Sequence, residues 1–153
     1  METNRLRNPA LARPNPLTVV IDTSFLLTML EQHREFDEEL QQAITVPVKI
    51  ATIDSVVFEL QRLARRGPFK TAGLAKLGLS LLYKKRISII EVPMGLPDVD
   101  STILAFALAE KNSVAVATVD RHLRFLLGRN GIPTVFPRGG RGLMFQRVRP
   151  RAA

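Results

Sequence analysis

The chain alternates short, continuous apolar runs with longer segments in which apolar residues recur at helical spacing. The runs are rich in β-branched residues and too short for helices, as expected for strands buried on both faces. Runs that predict strands occupy 17–21, 46–51, 87–92, 114–118 and 133–136, and 143–148 is a candidate for a final edge strand. Alternation of such runs with helices predicts a parallel sheet.

Helical spacing of apolar residues indicates six helices between these runs. The predicted helices occupy 25–30, 35–44, 54–66, 74–82, 98–112 and 121–127. Gly67 and Pro68 stop the third helix, Asp98 caps the fifth at its N-terminus, and Gly128 closes the sixth. The predicted fold is a three-layer α/β/α arrangement around a central parallel sheet of four to five strands. The Leu and Phe stripes along these segments are interpreted as core.

Composition and length divide the chain into three parts. A chain of 153 residues suffices for one compact domain and not for two of ordinary size. Residues 1–16, rich in Arg and Pro, predict a flexible basic arm; residues 17–137 predict the domain, and 138–153 a basic C-terminal extension. No run is long and apolar enough for a membrane span or a secretory signal, so a cytoplasmic protein without a membrane partner is expected.

The formal net charge of +8 comes entirely from the last 33 residues. Residues 121–153 contain eight arginines and no acid, whereas bases and acids balance over residues 1–120. A basic end beside acidic residues favours a polyanionic partner such as RNA, although a solubilising tail is the alternative. The absence of cysteine excludes disulfides, thiolate zinc sites and cysteine nucleophiles. No Gly-x-Ser-x-Gly elbow or phosphate-binding loop is present.

Four acids stand where strands end or helices begin. Asp22 follows the first predicted strand and Asp120 the fourth, while Asp100 opens an apolar helix and Glu59 interrupts an apolar stretch. In an open α/β sheet, ligands bind beyond the carboxyl ends of the strands, and clustered acids repel one another unless a cation compensates them. Carboxylate oxygens suit Mg²⁺ and Mn²⁺, which support phosphodiester hydrolysis. The placement therefore suggests a divalent-metal site.

Each acid also has a structural explanation of its own. Asp22, Asp100 and Asp120 are each placed to cap a helix, and a lone Glu59 commonly faces solvent. Taken singly, these explanations are as good as a metal site. They do not explain why all four acids fall at one edge of the predicted sheet.

Four segments around these acids resemble, in order and spacing, the signatures of PIN-domain nucleases. The segments are Val20–Leu26, Val57–Leu60, Asp100–Ala105 and Ala117–Leu123. The resemblance covers roughly residues 17–137 and implies a PIN fold with endoribonuclease activity on single-stranded or looped RNA. It also implies Mg²⁺ or Mn²⁺ as cofactor.

The resemblance implies roles for individual residues. The metal-binding and catalytic acids would be Asp22, Glu59, Asp100 and Asp120. Thr118 matches a hydroxyl residue two places before the last acid and would orient a water held by the metal. Ser24 departs from the family, which usually has Asn there, so its support of the acids is less secure. Asp98 is an extra acid near the site and is more readily a helix cap than a ligand.

Partners follow from the same resemblance. Residues expected to contact RNA phosphates are Arg121, Arg124, Arg138 and Arg141. One implied role is ribosomal-RNA processing beside ribosome-assembly factors, which the basic C-terminal end favours. Another is a VapC-type toxin paired with an antitoxin. A non-catalytic RNA-binding scaffold with this fold is a third reading, and a homodimer through the Leu-rich helix 74–82 remains open.

Overall fold

The computed structural model of the protein describes residues 15–93, 98–140 and 142–148. Within these ranges six strands form one sheet: β1 (Leu17–Ile21), β2 (Val48–Ile53), β3 (Ser88–Ile90), β4 (Val114–Ala117), β5 (Thr134–Pro137) and β6 (Leu143–Gln146). The same ranges contain six helices: α1 (Thr23–Glu31), α2 (Phe36–Ala43), α3 (Asp54–Arg66), α4 (Phe69–Lys84), α5 (Val99–Ala109) and α6 (Arg121–Arg129).

The strands lie in the order β3-β2-β1-β4-β5-β6. The first five are parallel, and β6 runs antiparallel to β5. For this strand order, the usual right-handed crossover predicts α1 to α4 on one face of the sheet and α5 and α6 on the other. The predicted three-layer α/β/α fold is confirmed. Because Ile21 pairs with Ala117, the residues that follow β1 and β4 emerge side by side at one edge.

Burial explains why the central strands read as continuous apolar runs. Val19, Val20 and Ile21 of β1 are fully buried, as are three of the four residues of β4. Helices cover both faces of the sheet at this point, so neither face needs polar side chains. The strongest hydrophobic packing therefore lies directly beneath the edge at which the acids emerge.

Of the two glycines predicted to end helices, Gly67 does so and Gly128 does not. Gly67 ends α3 as predicted, since a Cβ at this position would lie 2.6 Å from the carbonyl oxygen of Leu63. Gly128 does not end α6, which continues to Arg129. The chain reverses instead at Gly131, whose φ of 74° lies in the left-handed region that glycine adopts without strain.

The interpretation of the Phe stripes as core is correct for Phe25 and Phe36, which are buried, and wrong for three others. Phe58 is 64% exposed, Phe69 98% and Phe125 60%. Apolar character alone cannot tell which face of a helix a residue occupies. The face is set by the register in which the helix meets the sheet.

The Leu-rich segment of α4 packs mainly inside the molecule. Leu82 is buried, and Leu74 and Leu81 lie partly buried against the core, whereas Leu77 is 46% exposed. Most of the face considered for a homodimer is therefore intramolecular packing.

The predicted terminal segments are described only in part. Residues 1–14 and 149–153 lie outside the described residues, so the flexible arm stays a prediction. Within 138–153, β6 pairs with β5, so the sheet continues past residue 137. Across the described ranges no helix combines the length and apolarity needed to cross a membrane.

Candidate metal and active site

Asp22 is the most buried acid of the site. It follows β1 directly and precedes α1, yet its side chain does not cap that helix. Only 3% of the residue is exposed. Burial raises the pKa of Asp22, although hydrogen bonds from neighbouring hydroxyl groups oppose the shift. A carboxylate buried at the edge of a sheet without a cation is costly, so a local structure must compensate it.

Two hydroxyl groups hold the same oxygen of Asp22. Ser24 Oγ donates to Asp22 Oδ2 at 2.7 Å, and Thr118 Oγ1 donates to it at 2.8 Å. Each hydroxyl in turn accepts from the backbone after β4: Ser24 from the N–H of Val119 at 3.2 Å, and Thr118 from that of Asp120 at 3.1 Å. This network fixes the Asp22 carboxylate against both central strands and leaves Oδ1 free of either hydroxyl.

Thr118 therefore has a contact that the sequence does not reveal. It is completely buried, and its single hydroxyl hydrogen is directed at Asp22. In this arrangement Thr118 holds a carboxylate, and it has no hydrogen left for a water. Ser24 makes the equivalent contact, so serine satisfies the carboxylate at a position where the family usually has asparagine.

Asp100 and Asp120 approach Asp22 from helix N-termini. Asp120 caps α6, with Oδ1 accepting from the N–H of Leu123 at 3.0 Å. Asp100 lies in the first turn of α5. Burial raises the pKa of Asp100 to about 6, and the negative charges of Asp22 and Asp120 add to the shift. The three carboxylates are thus close enough to repel one another.

Glu59 faces the same centre from the second turn of α3. Its negative charge contributes to the raised pKa of Asp22, and its side chain is 26% exposed. Arg62 Nη2 lies 3.8 Å from Glu59 Oε2, which is a loose ion pair on the solvent side. The four acids predicted from the sequence are therefore brought together by β1, β4, α3 and α5.

This donor set fits Mg²⁺ or Mn²⁺. It consists of carboxylate oxygens, the ligands that these hard cations prefer, and their mutual repulsion would be relieved by a positive charge. Among the described residues, however, no three or more acidic or His side chains form a ready-made metal cage. Mg²⁺ usually takes only one or two carboxylates directly and fills its remaining positions with water, so a loose set of acids suits it.

Asp98 differs from these acids because both of its oxygens are engaged in capping, although its negative charge adds to the raised pKa of Asp100. It is exposed and caps α5, with Oδ1 accepting from the N–H of Ser101 at 2.7 Å and Oδ2 from Ser101 Oγ at 3.0 Å. These hydrogen bonds lower the pKa of Asp98. Its oxygens are thus used within α5, in agreement with the prediction of a helix cap.

The predicted RNA-contacting arginines fall in different environments. Arg121 and Arg138 are exposed. Arg124 is partly buried, and its guanidinium carbon lies 3.3 Å from the centre of the Phe136 ring. Its Nε is buried with no hydrogen-bond partner among the described residues, and burial lowers its pKa. Arg141 lies outside the described residues.

One supporting residue was missed from the sequence. Thr52, the next-to-last residue of β2, is completely buried and donates from Oγ1 to the carbonyl oxygen of Ile21 at 2.7 Å. It thereby fixes the backbone immediately before Asp22. The available signal was a hydroxyl residue within the apolar run Ile50–Ile53, where a Thr needs a buried partner.

Comparisons with known proteins agree with this fold. A family model described as a PIN-like domain matches residues 19–140. The chain is 28% identical over 120 residues to ribonuclease VapC4 of Methanocaldococcus jannaschii, an alignment that covers 78% of this chain and 89% of that protein. It superposes on the PIN domain endonuclease Utp24 with a TM-score of 0.75 and 22% identity, covering 90% of this chain and 97% of the other. The likeness to Utp24 is one of fold.

Proposed function

The chain belongs to the family of PIN-like domains, and on that premise we propose that it is a divalent-metal-dependent endoribonuclease that hydrolyses single-stranded or looped RNA. The observation that carries this proposal is the electrostatic state of the acids. Burial and two neighbouring carboxylates raise the pKa of Asp100 to about 6. Burial and repulsion of this kind cost stability, and acids with raised pKa values are typical of functional sites, where a bound cation would relieve the repulsion.

Asp22, Asp100 and Asp120 would hold Mg²⁺ or Mn²⁺, with Glu59 completing the set or positioning the attacking water. When bound, the metal would supply activation of a water and stabilisation of charge on the leaving oxygen. The protein itself fixes the geometry. Ser24 and Thr118 hold Asp22 in one orientation, so the carboxylate does not need to reorganise when substrate arrives.

The polypeptide also favours a phosphate at this edge. Helices α1, α5 and α6 begin next to Asp22, Asp100 and Asp120, and helix N-termini carry partial positive charge. The exposed guanidinium of Arg121 follows Asp120 directly. RNA would therefore meet the acids with its phosphate charge partly neutralised by the protein.

A cleavage assay with two neighbouring acids tests the proposal. Labelled single-stranded RNA should be cut with Mn²⁺ or Mg²⁺, and EDTA should stop the reaction. Asp100→Asn should abolish cleavage, while Asp98→Asn, two residues away on the same helix, should retain it because Asn caps helices as well as Asp. The products should lack a 2′,3′-cyclic phosphate, since water and not the 2′-hydroxyl attacks.

The contrary results are also defined. Full activity in EDTA, or full activity of Asp100→Asn, would refute metal-dependent hydrolysis at this site. RNA binding without any divalent-dependent cleavage would instead support a non-catalytic RNA-binding scaffold.

For the biological setting, we propose processing of ribosomal RNA together with ribosome-assembly factors. The support is the excess of arginine in residues 121–153, which suits a large structured RNA. The similarity to ribonuclease VapC4 favours the second candidate, a VapC-type toxin with an antitoxin. Controlled expression in the host separates the two, because a toxin should arrest growth and be relieved by a co-expressed neighbouring gene, whereas a processing enzyme should do neither.

A further inference from the structure

Two exposed phenylalanines occupy the centres of the solvent faces of α3 and α6. In α3, the buried residues Val56 and Leu60 lie on either side of Phe58 in sequence, so Phe58 points away from the core. In α6, Phe125 has the same relation to the buried Leu123 and Leu127. Phe58 and Phe125 are 64% and 60% exposed, so most of the apolar surface of each ring stays in contact with water and does not stabilise the core. The fold does not explain them.

Arginines lie near both rings. At about 100° per residue, Arg62 and Arg65 lie within roughly 40° of Phe58 around the axis of α3. On α6, Arg121 and Arg129 lie one turn before and one turn after Phe125. All four arginines are exposed, and the guanidinium carbon of Arg129 lies 5.7 Å from the centre of the Phe125 ring. On α6 the ring therefore lies between two cations, whereas on α3 both cations follow the ring along the helix.

Both rings are close in sequence to the acids of the candidate site. Phe58 immediately precedes Glu59, and Phe125 is five residues after Asp120. Helix α5, which carries Asp100, contacts both α3 and α6. Both helices therefore pack beside the helix that carries Asp100.

We propose that Phe58 and Phe125 stack bases of a single-stranded RNA on either side of the acidic centre, while Arg62, Arg65, Arg121 and Arg129 contact its phosphates. The proposal rests on the proposed function for the identity of the ligand and adds the surface that holds it. Aromatic side chains stack every base, and flanking arginines follow the backbone, which is the combination used to bind single strands without sequence readout.

Charge favours RNA over a protein partner on these faces. The helix that bears Phe58 carries Arg62, Arg65 and Arg66, with Asp54 one turn before the ring and Glu59 beside it, and α6 carries no acid at all. Protein interfaces are also enriched in aromatic residues and Arg, so it is the excess of positive charge, and not the aromatic content, that favours a polyanion such as RNA here. Duplex RNA would keep its bases stacked inside and could not use the rings.

Binding measured in EDTA tests the proposal without any cleavage step. The wild type, Phe58→Ala and Phe125→Ala are titrated at low salt with a fluorescent single-stranded oligonucleotide and with an abasic strand of equal length. Each Ala variant should bind the base-containing strand about 5-fold or more weakly and the abasic strand as the wild type does. Phe58→Trp should restore or tighten binding. Arg62→Gln should weaken binding to both strands, because phosphates are present in both.

The chain offers a matched control in Phe69. This ring is 98% exposed at the start of α4, beyond the end of α3 that is remote from Glu59. Phe69→Ala should leave both affinities unchanged. Thermal melting should show all three Ala variants folded, because each replaces an exposed helical residue by a better helix former.

Three results would overturn the stacking surface: unchanged RNA affinity of Phe58→Ala and Phe125→Ala, equal losses for the abasic strand, or an equal loss in Phe69→Ala. The first is also what a protein-binding role for these faces would give. Failure here is separable from failure of the proposed function. Metal-dependent cleavage with normal binding by the Phe variants would reject the surface alone, and base-dependent binding without cleavage would reject the enzyme alone.

Discussion

Asp22 and Asp100 place the same chemical group at the acidic centre, but the protein supports the two in opposite ways. Asp22 is 3% exposed and receives two hydroxyl hydrogen bonds, each reinforced by a backbone N–H. Asp100 is partly exposed, and its strongest charged neighbours are the carboxylates of Asp22 and Asp120. Hydrogen bonding lowers the pKa of Asp22 against its burial, whereas every interaction of Asp100 raises its pKa.

The difference divides the site into a fixed half, held by hydrogen bonds, and a second half that depends on a cation under the proposed function. The fixed half keeps a buried carboxylate oriented without metal, at the junction of β1 and β4. The other half is electrostatically unfavourable until a positive charge arrives. Such a division allows tight geometry on one side and reversible occupancy on the other, and it can be tested by removing the supports one at a time.

The largest effect is expected from Asp22→Asn. This change keeps the size of the side chain but removes the negative charge of Asp22, which Ser24 and Thr118 orient. Because loss of a supporting hydrogen bond around a metal ligand typically costs 10- to 100-fold, loss of the ligand should reduce cleavage by more than about 100-fold. The measurement is the single-turnover rate with Mn²⁺, and a melting curve checks folding. Activity within a few-fold of wild type would show that the fixed half is not the catalytic one.

The next effect tests the support of Asp22 by Thr118. In Thr118→Val the side chain keeps its shape but loses the hydroxyl, so Asp22 loses one donor and the N–H of Asp120 loses its acceptor. We expect metal affinity or cleavage to fall about 10- to 100-fold, and the free energy of unfolding to fall by about 1–3 kcal/mol. Metal titration by calorimetry and urea unfolding measure the two.

Thr118→Ser is the matched control, because it restores the hydroxyl without the methyl group. Recovery of metal affinity in Thr118→Ser but not in Thr118→Val would assign the effect to the hydrogen bond. Equal losses in both variants would assign it to packing beneath the site, and the idea of a hydroxyl-fixed carboxylate would then be wrong.

The sequence predicts the positions of the acids well because their signals are local. Apolar runs mark β1 and β4, and an acid at the end of such a run must emerge at the carboxyl edge of a parallel sheet. The order of the four segments then indicates the family. Helix capping by Asp98 is likewise a local pattern, and Ser101 satisfies it three residues later.

The supports of these acids are tertiary and leave little trace in the sequence. Ser24 and Thr118 are 94 residues apart and meet only because β1 pairs with β4. Thr52 reaches Ile21 through the pairing of β2 with β1. Phe58 reads as core because apolar residues surround it in sequence, yet the register of α3 against the sheet turns it to solvent. Prediction from the sequence fails for residues whose contacts are set by the tertiary structure.

A smaller effect, on stability, tests the half that depends on a cation. In metal-free protein the raised pKa of Asp100 means that the folded state retains its proton to higher pH than the unfolded chain. Stability should therefore fall as pH rises from about 4 to about 6 and stay low above that window. Asp100→Asn removes this penalty, so unfolding in EDTA at pH 7 should cost on the order of 1 kcal/mol more, after allowance for solvent screening of a partly exposed group.

Urea unfolding between pH 4 and pH 8 measures this change. Part of the slope should remain in Asp100→Asn, because burial also raises the pKa of Asp22. Asp98→Asn is the control and should change stability less, because the charge of Asp98 contributes less to the raised pKa of Asp100 than burial, Asp22 and Asp120 do. Addition of Mg²⁺ should stabilise the wild type and not Asp100→Asn. A metal-free wild type that is as stable at pH 7 as the variant would contradict the repulsion on which the comparison rests.

The smallest effect is expected from Ser24→Asn. This variant tests whether Asp22 needs the serine hydroxyl itself or any hydrogen-bond donor at this position. An Asn side chain can donate from its amide nitrogen to Asp22 and accept the N–H of Val119 at its oxygen, which are two of the three contacts that Ser24 makes. Cleavage and stability should therefore change little, by less than about 1 kcal/mol. Ser24→Ala, which can do neither, should resemble Thr118→Val. If Ser24→Asn is as damaging as Ser24→Ala, the short reach of serine, and not its donor, is what orients Asp22.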